Sequence, residues 1–85
     1  MDINQLYEQY KSNPANDPIS DPAAIQERIT HYTEELERTI KDSTNRKLPA
    51  WKRELASSKI RHIRKELQGW QDAYGLVVEE LVKYQ

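Results

Sequence analysis

From Ala56 to Tyr84 the chain repeats one pattern: Ala56, Ile60, Ile63, Leu67, Trp70, Tyr74, Val77, Leu81 and Tyr84 recur at spacings of four and three, and none is charged. That spacing places all of them on one side of an α-helix, and so narrow an apolar stripe is the seam of helices packed side by side at a small crossing angle. A chain carrying it must supply a second helix with a matching stripe. The segment after Asp21 does so, because Ile25, Ile29, Tyr32, Leu36 and Thr39 alternate in the same way. Asp21-Pro22 is a helix start, pairing a side-chain acceptor for free N–H groups with a residue whose φ is already helical. The polar stretch Asp42-Ser43-Thr44-Asn45-Arg46-Lys47 ends this pattern, and so short a connection makes the two helices antiparallel neighbours.

The N-terminal segment adds a shorter helix. Asp2 with Gln5 three residues on forms a capping box, and Ile3, Leu6, Tyr7 and Tyr10 fall on one face. A helix this short is marginal alone and must dock on something. Between it and Asp21, Pro14 and Pro18 among Asn, Asp and Ser mark an irregular linker. The expected organisation is one all-α domain: helix 2–12, linker 13–21, helix 22–42, connection 43–48 and long helix 49–84. It is an antiparallel, coiled-coil-like helical hairpin extended to a small three-helix bundle by the N-terminal helix. Gly69 and Gly75 are the positions at which the long helix is expected to weaken.

Register follows from charge. With Ile29 opposite Ile63, facing residue numbers total 92, and Ile25 meets Leu67, Tyr32 meets Ile60 and Leu36 meets Ala56. Flanking positions then bring Asp42 to Lys52, Glu35 to Lys59 and Arg28 to Glu66, all of opposite sign, whereas a shift of one heptad sets Glu35 against Glu66. The seam from Tyr74 to Tyr84 lies past this hairpin. Its cover is either the N-terminal helix or a second copy of the chain in a homodimer.

Composition removes several function classes. The chain has no cysteine, hence no disulfide, thiolate zinc site or thiol nucleophile. Leu76-Val77-Val78 is the longest apolar run, too short to cross a bilayer, and the N-terminus lacks the basic start and apolar run of a signal peptide. A soluble protein of the cytoplasm is expected, with no membrane contact. His31 and His62 face outward; Glu34 and Glu35 follow His31 within one turn, but Glu35 is expected to turn toward the helix interface and Glu34 alone makes a poor metal site, and no phosphate loop or HExxH or CxxC element occurs. No metal, cofactor or enzymatic activity is expected. No family motif is recognised in these residues.

The candidate binding residues lie on the long helix. Between Arg46 and Glu66 stand eight Lys or Arg against two Glu, while the remainder of the chain is acidic, so the net charge of −1 arises by cancellation. Arg61, Arg64 and Lys65 make a basic outer face, and Trp51 and Leu55, with Leu48, form an apolar stripe off the main seam. A tryptophan there either packs under the connection or against Ile40 or, if left exposed, is a partner anchor. These features point to an adaptor or inhibitor that occupies the acidic surface of a partner protein through Trp51, Leu55, Arg61, Arg64 and Lys65. Nucleic-acid binding by the same basic face, or a structural homo-oligomer, are the competing readings.

Overall fold

The computed structural model describes residues 2–84 and contains three helices: α1 (Ile3–Ser12), α2 (Pro22–Thr44) and α3 (Ala50–Tyr84). Each start is built as the sequence indicates. The Asp2 carboxylate accepts from the Gln5 N–H at 2.9 Å while the Gln5 side chain accepts from the Asp2 N–H at 3.2 Å. Asp21 caps α2 by accepting from Ala23 N–H at 2.9 Å, with Pro22 in the first turn. At α3 the Pro49 carbonyl takes the N–H groups of Lys52 and Arg53.

Both connections open with the same turn. Asn13 and Asn45 each accept through the side chain from the residue two positions on, and through the backbone carbonyl from the residue three positions on. Short asparagine side chains stabilise such turns by replacing one backbone acceptor. α2 runs two residues beyond its expected end at 42 because the hydroxyls of Ser43 and Thr44 donate back to Ile40 O and keep the last turn wound.

The long seam is realised as one helix. α3 passes through Gly69 and Gly75 without interruption, and its 35 residues span about 52 Å at 1.5 Å per residue, close to the full 56 Å length of the molecule. Space for a Cβ is open at both glycines. Gly75→Ala is therefore expected to raise stability by about 0.5–1 kcal/mol. A melting temperature unchanged or lowered in that variant would contradict the unbroken helix.

α2 and α3 pack against each other along most of α2, but not in the register that charge favours. The Gln26 amide donates to the Tyr74 hydroxyl at 3.2 Å, and the Arg28 guanidinium lies over the Trp70 ring at 5.9 Å. Ile25 shares one core cluster with Val77 and Leu81, with Ile29 and Trp70 packed against it. Facing numbers thus total near 99, so α2 sits one heptad further along α3 than expected. None of the pairs Asp42–Lys52, Glu35–Lys59 and Arg28–Glu66 forms among the described residues; Glu35 instead meets His31 of its own helix at 3.4 Å.

Magnitudes explain the choice. An exposed ion pair contributes about 0.2–1 kcal/mol, whereas burying one large apolar side chain contributes about 1.5–3 kcal/mol. The shifted register lets Ile25 and Ile29 cover Trp70, Tyr74 and Val77, and that outweighs three surface pairs.

α1 closes the far end within the same chain. Leu6 and Tyr10 enter the cluster with Ile25, Val77 and Leu81, and the Tyr10 ring meets Tyr84 edge to face at 5.3 Å. The Tyr10 hydroxyl donates to Asp17 O at 2.7 Å and Asn16 donates to Tyr10 O at 2.9 Å, which folds the linker so that Ile19 also reaches the cluster. The described part of the Tyr74–Tyr84 seam is thus packed within the chain by α1, α2 and the linker.

Burial, with Asp17 and Glu80 nearby, pushes the Tyr10 pKa above its ordinary value. Below pH ~10 both folded and unfolded chains keep this proton; above it the unfolded chain ionises first, so the contact's stabilisation falls as pH rises. Alkaline titration is expected to loosen α1, and Tyr10→Phe to remove that pH dependence. A Tyr10→Phe chain with the same alkaline loss would show that another group controls the end.

Candidate docking face on the long helix

The heptad shift has a direct result at the connection. Thr44 falls level with roughly residue 55 of α3, so the first turn of α3 projects past the end of α2. Trp51 and Leu55 are consequently 63% and 48% exposed, with Ile40 of α2 at 38%. Packing under the connection covers only Leu48, which is half-buried. Here the hairpin seam itself is small and polar, since Thr39 and Ala56 are its buried residues and the Thr39 hydroxyl is returned to Glu35 O at 2.8 Å.

All five expected site residues are exposed, but the structure does not gather them into one pocket. Trp51 and Leu55 border a groove of about 460 Å³ with Thr39, Lys52, Ala56 and Lys59. Arg61 lies about 80° around α3 from Trp51, in a separate open groove of about 740 Å³ with Ser43, Arg53 and Ser57. Lys65 borders a third depression beside Glu66, Gly69 and Trp70, and Arg64 lines none of these. The reason is angular. At 100° per residue, Arg64 stands more than about a third of a turn away from Trp51, while Lys65 lies close to its line.

That outward line is the feature that residue-by-residue inspection misses. Trp51, Leu55, Ser58, His62, Lys65, Gly69, Ala73, Leu76 and Glu80 again recur at spacings of three and four, forming a second stripe along α3 beside the buried one. Large apolar side chains occupy both ends, with Leu76 65% exposed. The middle is polar, which hides the stripe in a search for continuous hydrophobic periodicity.

Charge differs between the two ends of the stripe. Lys52, Lys59, Arg61 and Lys65 stand around Trp51 and Leu55 against Glu54 and, from α2, Asp42, which lines the same groove, and none of these lysines and arginines is in an ion pair among the described residues. Asp72, Glu79 and Glu80 surround Leu76, and Lys83 is held by Glu79 at 3.3 Å and Glu80 at 3.8 Å. The Arg53 Nε is buried without a hydrogen-bond partner, and the Arg53 side chain lines the same groove as Arg61.

No cluster of three His, Cys, Asp or Glu that could hold a metal ion occurs among the described residues, and no described helix is long and apolar enough to cross a membrane. Comparison with protein-family models, curated proteins and solved structures finds no match.

Proposed function

We propose that the chain is a non-catalytic protein-binding module, acting as an adaptor or inhibitor whose outer α3 face occupies the surface of a partner. The observation that carries this reading is the exposure of Trp51 and Leu55 on a helix end that its own hairpin leaves uncovered. Aromatic and aliphatic anchors surrounded by cations are the composition of an interface centre rather than of an ordinary solvated helix, on which large apolar residues are scattered singly. The basic surround favours a partner surface rich in carboxylates.

Trp51→Ala with Leu55→Ala is expected to abolish capture of a protein by the tagged chain while leaving stability within about 0.5 kcal/mol, because both side chains are exposed. Arg61→Glu, Arg64→Glu and Lys65→Glu together are expected to weaken capture less, since Arg64 stands off the stripe. Capture that persists in the Trp51/Leu55 variant would remove the basis of the proposal. Capture lost only on nuclease treatment would assign the basic face to nucleic acid instead.

A further inference from the structure

We infer that the groove on the other flank of the hairpin, which holds Arg53, Ser57 and Arg61, is a binding site for a phosphate group carried by a protein segment. The site is separate from Trp51 and Leu55 and stands whether or not those anchors hold a partner. Arg53, Ser57 and Arg61 follow one another at single-turn spacing, about 6 Å apart along α3, and Arg64 lies within about 20° of the Arg53 line. Long side chains from one turn before and one turn after Ser57 thus reach the same point above it.

The fold does not neutralise these arginines. Elsewhere the chain pairs cations with carboxylates one turn away, as Lys11 with Glu8 at 3.1 Å and Lys83 with Glu79 at 3.3 Å. Arg53, Arg61 and Arg64 have no Asp or Glu three or four positions away in either direction, and none forms an ion pair among the described residues. Arg61 instead has Arg64 and Lys65 at those spacings, a like-charge arrangement that destabilises a helix. Arg53 stands in the first turn of α3, where the helix dipole already disfavours a cation. Its Nε is buried without a hydrogen bond, and an anion drawn against the same guanidinium offsets that cost.

α2 adds no charge to this flank. Ser43 is its residue on the groove, and Leu36 and Ile40 share that side of the helix, whereas Asp42 lines the opposite groove beside Lys52 and Lys59. Ser43 and Ser58 return their hydroxyls to the backbone at 2.7 and 2.8 Å, and Ser57 makes no such bond among the described residues. Glu54 is the one carboxylate on the lining, set against Arg53 and Arg61 there and Arg64 a turn beyond.

Chemistry narrows the anion. Arginine presents a planar fork of N–H donors that matches phosphate oxygens, and all three cations of this flank are arginines. A phosphomonoester brings about two negative charges and three acceptor oxygens to one point, where a carboxylate brings a single charge. The groove is open and Ala50 is the one apolar residue on its lining, so nothing encloses the remainder of a small metabolite. From Arg53 to Arg64 the cations extend about 16 Å, and Glu66 and Asp72 follow, which makes a short patch rather than a track for a nucleic-acid backbone. A phosphoserine or phosphothreonine in an exposed peptide fits this form.

Nuclear magnetic resonance of the full chain, following arginine Nε–H and backbone signals, tests the site. The probes are a peptide library with a fixed central phosphoserine, the same library with serine or glutamate at that position, and inorganic phosphate. The phosphoserine library and inorganic phosphate are expected to shift Arg53, Ser57 and Arg61, the serine library to shift none, and the glutamate library to bind at least roughly tenfold more weakly than phosphoserine. Arg61→Gln/Arg64→Gln is expected to weaken phosphoserine binding at least roughly tenfold, and Lys52→Gln/Lys59→Gln on the other flank to leave it within about twofold. All four positions are exposed, and circular dichroism verifies that both variants remain helical.

No shift at millimolar phosphoserine peptide, or equal losses in the two double variants, would overturn the inference. So would glutamate or serine libraries that bind as tightly as phosphoserine. A random single-stranded DNA that binds more tightly than the phosphoserine library would assign the arginines to nucleic acid and overturn it as well. Each of these results leaves capture through Trp51 and Leu55 untouched, so the two readings fail separately.

Discussion

Leu81→Ala is expected to destabilise the chain by about 2–5 kcal/mol, the range for truncating a large aliphatic side chain in a packed site. Leu81 has no exposed surface and lies where all three helices meet, in one cluster with Leu6 and Tyr10 of α1, Ile25 of α2 and Val77 of α3. A chain of 85 residues has a total stability of roughly 4–13 kcal/mol, so this one change removes a large share of it. Urea unfolding followed by circular dichroism measures the loss. Leu76→Ala, on the same helix but 65% exposed, is expected to stay within about 0.5 kcal/mol. Equal losses in the two variants would mean that the buried and outward stripes of α3 have been interchanged.

Ile25→Asp is expected to be more severe still. Ile25 is 3% exposed, and its neighbours in the cluster provide no cation to pair with a carboxylate. An unpaired buried charge either costs several kcal/mol or forces the site open; about 3–5 kcal/mol is the expected loss. Unfolding at neutral pH with partial recovery on acidification is the expected signature, since protonation removes the charge. Ile40→Asp, on the same helix at 38% exposure, provides the control. A folded Ile25→Asp chain indistinguishable from that control would place Ile25 at the surface and dismantle the far-end core.

Helices and their caps were legible in the residues because they depend on near neighbours. The Asp2-Gln5 box and Asp21-Pro22 each act within a few positions, so local chemistry decides them, whereas the Asn13 and Asn45 turns were legible only as irregular polar connections. Register was not legible, because a seven-residue repeat looks the same after a shift of seven and only the facing partners distinguish the alternatives. Three ion pairs supported one register, while the burial of Trp70 and Tyr74 beneath α2 supported the other, and the stronger term prevailed.

The exposure of Trp51 follows from that same shift and was legible only in part. Its place off the main seam could be read from spacing, but whether the connection covers it depends on how far α3 projects past α2. The basic residues were found individually, and the structure divides them, because Arg61, Arg64 and Lys65 are close in sequence yet spread around the helix. Gly69 and Gly75 mark no break, since the seam on either side of them is held by α2 and by α1.

The position of α2 on α3 is the claim on which the exposed face and the far-end core both depend. Nuclear Overhauser contacts between side chains measure it directly. Contacts from Ile29 and Arg28 to the Trp70 indole, and from the Ile25 methyls to Val77, are the expected result. Contacts from Ile29 to Ile63 and from Ile25 to Leu67 would contradict it.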